Sequence, residues 1–429
     1  MTTAGGATAV ADGPADAPEP RRRTLRPDRA TWPIWLFTAG LPVTFVLGVH
    51  GIAWPVAAVV LAGRILANPR TRFPRTTIPL LILITWMLLS IPMLRSPGSL
   101  PLYLYRWTLF LGCLSTLVWL VNVRQDRVPT ARIVDWLAAL WICLILGAYL
   151  APLLPNIIIT SPFQVILGPA GRVPFVARIS EWRFAETQGF MGYQVARPAL
   201  PFGSANSWGS AVGILTPFFI RSWLIDADRR RRTRGMVLAV LAVYPIILSV
   251  NRGLWISLAV GMVYFAARKA LRGRFGPMAI LIGLMVSLFL LLALTSLGGL
   301  VTDRLDNSEK SNDARSGLYE LAWKGALDSP LIGNGEPKPA PGALPTDPPI
   351  GTHGLFWYLM FVHGFVGLAL FLTWLGMEVF RSGRVTAPLG WWTHLALVIG
   401  LVEVPYYGLL PHVILLGIAA GLSHREEIA

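Results

Sequence analysis

The sequence predicts an all-α integral membrane protein with about twelve transmembrane helices, since ~30 Å of hydrocarbon is crossed by about 20 apolar residues per helix. Three observations carry that prediction. Over 429 residues, 54% are apolar and 14% charged, whereas soluble domains run at roughly 25% charged. Mean hydropathy is +0.58, more apolar side chain than a soluble core could hide, because burial is limited by surface-to-volume scaling. The basic residues also fall mainly in alternate short connections between apolar runs. A soluble enzyme, a disulfide scaffold, a collagen-like chain and a disordered protein are excluded. The two cysteines, Cys113 and Cys143, lie inside apolar runs and read as packing residues.

Residues 1–30 are rich in Ala, Gly, Pro and Arg and read as a disordered cytoplasmic tail ending in Arg21, Arg22, Arg23, Arg26 and Arg29. The run from Trp32 lacks a small-residue cleavage site and reads as a retained signal anchor. A polytopic membrane domain follows over 31–429. Its expected spans are near 32–49, 52–67, 76–94, 103–122, 131–151, 205–225, 235–250, 252–268, 276–298, 353–380, 390–405 and 408–422.

Charge sets the expected sidedness. With the N-terminus inside, the cytoplasmic connections carry Arg64, Arg70, Arg72 and Arg75; Arg124, Arg127 and Arg132; Arg229 to Arg232 and Arg234; Arg268, Lys269, Arg272 and Arg274; and Arg381 and Arg384. The opposite short connections are charge-poor, for example Val49-His50-Gly51 and Val404-Pro405-Tyr406-Tyr407. This is the positive-inside pattern, with both termini cytoplasmic. It accounts for the net charge of +15 without a nucleic-acid partner. Two long extracytoplasmic segments remain, about 151–204 and 299–352. Connections of that length in a compact protein usually carry function. The second is proline-rich from Pro337 to Pro349 and reads as an irregular flap, with its action as a lid left open.

Charges at a membrane edge are costly unless wet or paired, so they mark candidate sites. Three clusters lie on the expected outer face. Arg252, in Ser249-Val250-Asn251-Arg252-Gly253, sits in a tight turn between two spans; it either snorkels to headgroups or binds a phosphate bidentately. Arg315 follows Ser311-Asn312-Asp313, which read as N-cap candidates for a helix lying on the membrane with Leu318, Leu321, Ala322 and Gly325 on one face. It either pairs with Asp313 or Glu320 in solvent or makes an anion site in the first turn. His353, where the second long segment re-enters the membrane, is either a polar anchor or a general base, given an imidazole pKa near 6.5. His363, about ten residues into its helix, reads as a mid-membrane hydrogen bond to a neighbouring helix, and His394 reads likewise. Glu403, Tyr406, Tyr407 and His412 gather at the outer ends of the last two spans, as a sugar groove or an aromatic belt. The histidines show no metal-ligand spacing, and no phosphate-binding or dinucleotide loop follows a strand, so no metal or other cofactor is expected.

These clusters, in this order and on this topology, resemble the O-antigen ligase and polymerase family, bacterial membrane glycosyltransferases that move saccharide chains from an undecaprenyl diphosphate carrier. The resemblance is densest over about 196–367. Arg197-Pro198 with Phe202 to Asn206 is similar to the segment entering the family's central span. Asn251-Arg252-Gly253 with Trp255 resembles its Ser-Arg-Gly signature, Asn251 standing for the usual Ser. Arg315 with Trp323 and Asp328 to Gly335 resembles its outer loop, and His353 with Gly364 and Gly367 its histidine motif, with Gly354 where the family often has Asn. The resemblance implies a GT-C-like fold in the bacterial inner (plasma) membrane with an extracytoplasmic active site. It implies a surface-polysaccharide polymerase or ligase, metal-independent and inverting. Arg252, Arg315 and His353 would be catalytic; Arg197, Arg178, Arg183, Asn206, Tyr407 and His412 would bind substrate. The implied partners are an undecaprenyl-diphosphate-linked glycan donor, a glycan, lipid or protein-linked acceptor, and the bilayer. A transporter or lipid-linked glycan flippase is the alternative reading of a chain with this many spans.

Overall fold

The structure, a computed structural model, describes residues 25–190, 193–294, 309–344 and 347–428. Residues 1–24 of the expected tail and Pro345 of the proline-rich segment lie outside the described residues.

The described parts of the apolar runs fall largely on helix. The order is α1 (Trp32–Leu36), α2 (Leu41–Leu47), α3 (His50–Leu66), α4 (Ile78–Leu89), α5 (Leu100–Asn122) and α6 (Thr130–Ala148). Next come β1 (Ile158–Ile159), α7 (Pro162–Leu167), α8 (Pro174–Ser180), β2 (Trp182–Arg183), β3 (Ala185–Phe190) and β4 (Tyr193–Pro198). The rest is α9 (Ala205–Phe219), α10 (Arg229–Leu248), α11 (Arg252–Ala270), α12 (Gly276–Leu294), α13 (Glu309–Asp328), α14 (Leu355–Ser382), α15 (Gly390–Glu403) and α16 (Val413–Ile428). Local chemistry sets several boundaries. Ser204, Asp228 and Asn251 accept hydrogen bonds from the first turns of α9, α10 and α11, respectively. Among the described residues four helices are long and apolar enough to cross a bilayer: Pro97–Asn122, Thr130–Ala148, Ala205–Ile225 and Leu355–Ser382.

The fold is mostly helical, in keeping with the all-α expectation, with two short antiparallel pairings, β1 with β2 and β3 with β4, within the first long segment. Two expectations are corrected. The run 32–49 is two short helices, because Pro42 near the start of α2 cannot donate a backbone N–H to the preceding turn. α13 already runs through Ser311-Asn312-Asp313, so none of these caps it and Arg315 rides in the second turn. α13 packs along the first half of α14: Tyr319 stacks on Trp357 with centroids 4.3 Å apart, and Trp323 meets Phe365 edge-on at 5.4 Å. The apolar face read from the sequence is the packed one, with Ala322 fully buried and Gly325 against Phe361.

The arginine-rich connections gather at one end of the bundle. Arg132 pairs with Asp28 at 2.7 Å, and Arg64 binds the Arg29 carbonyl at 2.9 Å. Arg72 N–H donates to Asn122 at 2.7 Å, and Arg425 donates to the Val128 carbonyl at 3.0 Å. Arg231 reaches Asp135 at 2.9 Å, and Arg268 donates to the Gly383 carbonyl. Mutual contact among these segments is the structural counterpart of the charge alternation in the sequence.

At the other end α14 breaks at Gly364, where φ is 72° and ψ −179°, a backbone state that any side chain would strain. Residues 330–335 fill the break. Phe365 N–H donates to the Pro330 carbonyl at 2.8 Å, and Asn334 and Gly335 N–H donate to Phe361 and Val362 at 2.8 and 3.0 Å. Near lipid each such group left unpaired would cost several kcal/mol, so the loop and the break require each other. His363 directly precedes the break. Its Nδ1 lies 3.3 Å from Ser90 Oγ at the end of α4, and Ser90 donates to the Ile332 carbonyl at 2.9 Å. The expected hydrogen bond from His363 to a neighbouring element is thus made to the end of α4.

Candidate active site

The site is built on the turn that follows α15, Val404-Pro405-Tyr406-Tyr407. Two N–H groups of the incoming α14 are clamped to it: Leu355 donates to the Tyr407 carbonyl at 2.6 Å and Phe356 to that of Val404 at 3.0 Å. Gly354 has φ 117°, and a Cβ there would run into the Pro405 carbonyl. An Asn at this position has no room, which is the physical reason this chain carries glycine directly after His353. That clamp fixes the backbone on which His353 is carried.

The Arg252 turn meets the same residues. The Tyr407 hydroxyl donates to Asn251 Oδ1, and Asn251 Nδ2 donates to the Ala205 carbonyl at 3.0 Å. A side chain at Gly253 would collide with the Tyr407 phenol. Arg252, partly exposed, occupies the first position of α11 between these two contacts. The helix dipole adds positive potential at that end, which favours an anion beside the guanidinium.

Arg315 joins from α13. The His353 imidazole is held below its usual range, first by burial and then by the positive charge of Arg315. Burial also raises the Tyr319 phenol, one turn along from Arg315, with Tyr406 adding to the rise and Arg315 opposing it. Arg315 therefore lies within electrostatic reach of His353 and Tyr319, and Tyr319 within reach of Tyr406. Glu320, which the sequence offered as a partner for Arg315, instead pairs with Lys324 at 2.6 Å. Three segments far apart in sequence thus converge on Pro405–Tyr407.

The remaining candidates divide. Arg197, 7% exposed, donates to the Ser249 carbonyl and Gln188 Oε1, both at 2.6 Å, and to Asn206 Oδ1 at 3.3 Å. It ties the β3–β4 hairpin and the head of α9 to the Arg252 turn. Tyr407 is buried beneath that turn. His412 is fully buried, edge-on to Phe202 at 4.5 Å, and neither ring nitrogen has a hydrogen-bond partner among the described residues. Arg178 is exposed on α8, and Arg183 pairs with Glu181 at 2.9 Å. Their neighbours Ile179 and Trp182 pack against Gly51 and Phe45, away from Pro405–Tyr407.

One cation was not singled out in the sequence. Arg106 on α5 lies over the Tyr358 ring, 5.3 Å from its centroid. The signal was present, since Arg106 is the lone charge in the run 100–122. Among the described residues no three His, Cys, Asp or Glu side chains come together as a metal cage.

The mostly helical fold and the four long apolar helices among the described residues fit an all-α membrane protein. A family model described as O-antigen ligase matches residues 237–372, and this supports the O-antigen ligase and polymerase family as the one that the chain resembles. The matched stretch runs from α10 into α14 and carries Arg252, Arg315, His353 and the Gly364 break. Family and apolar helices together suggest a membrane protein engaged in glycan transfer of the ligase or polymerase type. No curated protein matches the chain significantly.

Proposed function

We propose that the protein transfers a saccharide chain from undecaprenyl diphosphate to an acceptor hydroxyl, at the extracytoplasmic face of the bacterial plasma membrane. The observation that supports the reading is that the segments carrying Arg252 and His353 meet at the Pro405–Tyr407 turn, with Arg315 within electrostatic reach of His353. The leaving group is a lipid diphosphate, and its charge must be met as the glycosidic bond breaks. Arg252 and Arg315 supply that charge without a metal, in the manner of preorganised oxyanion donors. His353 takes the proton of the acceptor hydroxyl. Its lowered pKa keeps it neutral, and therefore basic, near physiological pH. The acceptor oxygen attacks the anomeric carbon from the side opposite the diphosphate, so the centre inverts. The proline-rich segment, joined by the Lys338–Ile350 bridge, is placed in sequence to cover the sugar directly before His353. The acceptor is a growing glycan for a polymerase, or a lipid or protein carrier for a ligase.

The test is glycan transfer by purified protein supplied with a defined lipid-diphosphate-linked donor. Arg252→Ala, Arg315→Ala and His353→Ala are each expected to lower kcat/KM by roughly a hundredfold or more, the scale of removing one charge-stabilising donor. Full activity in the His353 variant removes it from the base role. Donor translocation without a new glycosidic bond would instead identify a flippase.

A further inference from the structure

We propose that Glu403 is a positioning residue for Arg252: it keeps its proton and donates a hydrogen bond through Ser257 to the Gly253 carbonyl, holding the first turn of α11. The proposal rests on the role given to Arg252 above and adds a residue outside the three catalytic groups.

Glu403 is the last residue of α15 and is fully buried. Its Oε2 lies 2.5 Å from Ser210 Oγ on α9, and its Oε1 lies 3.0 Å from Ser257 Oγ on α11. Gly213 leaves the space that the carboxyl fills, since a Cβ there would come 2.6 Å from Oε1. Among the described residues these two hydroxyls are its side-chain partners, and it forms no salt bridge. A carboxylate buried without a cation is far costlier than the neutral acid.

Proton counting points the same way. Ser257 Oγ is 2.9 Å from the Gly253 carbonyl, 3.1 Å from the Leu254 carbonyl and 3.0 Å from Glu403 Oε1. A hydroxyl owns one proton, and carbonyls only accept. With Glu403 ionised, three acceptors would compete for that proton. With the proton on Oε1, Glu403 donates to Ser257, Ser257 donates to Gly253, and Ser210 donates to Oε2. The directed chain then links α9, α15 and α11.

The same residue holds the other flank of Arg252. The backbone carbonyl of Glu403 accepts N–H groups from Tyr406 and Tyr407, at 3.0 and 2.9 Å, and the Tyr407 hydroxyl binds Asn251. Asn251 is thus reached through Tyr407, and Gly253 through Ser257. Arg252 lies between two contacts that start from one residue.

The experiment compares wild type, Glu403→Gln, Glu403→Leu and Ser257→Ala, purified in lipid nanodiscs. Infrared difference spectra of wild type against Glu403→Gln are expected to show the carbonyl band of a protonated carboxylic acid, unchanged across neutral pH. Glu403→Gln, which still donates and accepts, is expected to stay within about threefold of wild type in transfer, whereas Glu403→Leu and Ser257→Ala lose roughly ten- to a hundredfold in kcat at unchanged Tm, the scale of a small displacement of a catalytic group. A carboxylate band in place of the acid band overturns the proposal. So does a Gln variant as inactive as the Leu variant, or full activity in both Glu403→Leu and Ser257→Ala. If Glu403→Leu does not fold, Ser257→Ala carries the kinetic arm alone. The infrared arm needs no transfer reaction, so a wild type that moves no glycan refutes the transferase reading while the state of Glu403 is still decided.

Discussion

At the scale of single residues, His353 and Arg315 make the sharpest statement. Burial and the Arg315 charge lower the imidazole pKa from 6.5, and a general base acts when neutral. The acidic limb of kcat/KM should therefore fall below the ordinary imidazole value in the wild type. Replacing Arg315 by Ala removes a repulsive positive charge, so the pKa rises and the limb of the residual activity moves to higher pH. A pH-rate profile that stays in place on that substitution separates the two residues. Arg252→Lys keeps the charge but loses the planar fork, so it should remain at least about tenfold impaired if the diphosphate is held bidentately; wild-type kinetics would argue against that geometry. Arg197, buried with three hydrogen-bonded nitrogens, belongs to the scaffold in this geometry. Arg197→Ala should lower Tm, at about 1.5–3 kcal/mol per lost charged hydrogen bond, and a normal Tm with weakened donor binding would return it to the substrate contacts.

At the scale of elements, two glycines decide how α14 is used. Gly364 holds φ 72° with the Leu331 and Pro330 carbonyls where a side chain would project. Gly364→Ala should cost about 1–3 kcal/mol in backbone strain alone, and more as residues 330–335 are pushed off; thermal unfolding in detergent measures it, and an unchanged Tm would mean the break is not required. The sequence showed α14 as one apolar run, because a lone glycine inside such a run carries no sign of which partner it admits. It read the face of α13 correctly, from the helical spacing of Leu318, Leu321, Ala322 and Gly325. It misplaced the helix start, because Ser311, Asn312 and Asp313 are good caps by composition but lie within a continuing helix. Arg106 was passed over because its importance lies in Tyr358, more than 200 positions further on.

At the scale of the molecule, the arginine-rich connections meet at one end, and the proposed topology puts the two long segments on the other side of the membrane. Single cysteines at the exposed positions Arg230 and Pro341 should react with membrane-impermeant reagent from opposite sides of sealed vesicles. Labelling of both from one side would sink the topology and the extracytoplasmic site with it.

By itself the sequence determined the class of solvent the chain folds in, the helical character of its apolar runs, the ends to which its charges belong, and the motif residues Arg252, Arg315 and His353. Those follow from composition, periodicity and local charge, which are properties of neighbouring residues. Only the tertiary structure decided that Arg315 bears on His353, that Gly354 and Gly253 admit the Pro405–Tyr407 turn, and that Glu403 reaches both flanks of Arg252. These are contacts between segments about 40 to 150 residues apart, and close packing rather than local propensity selects them.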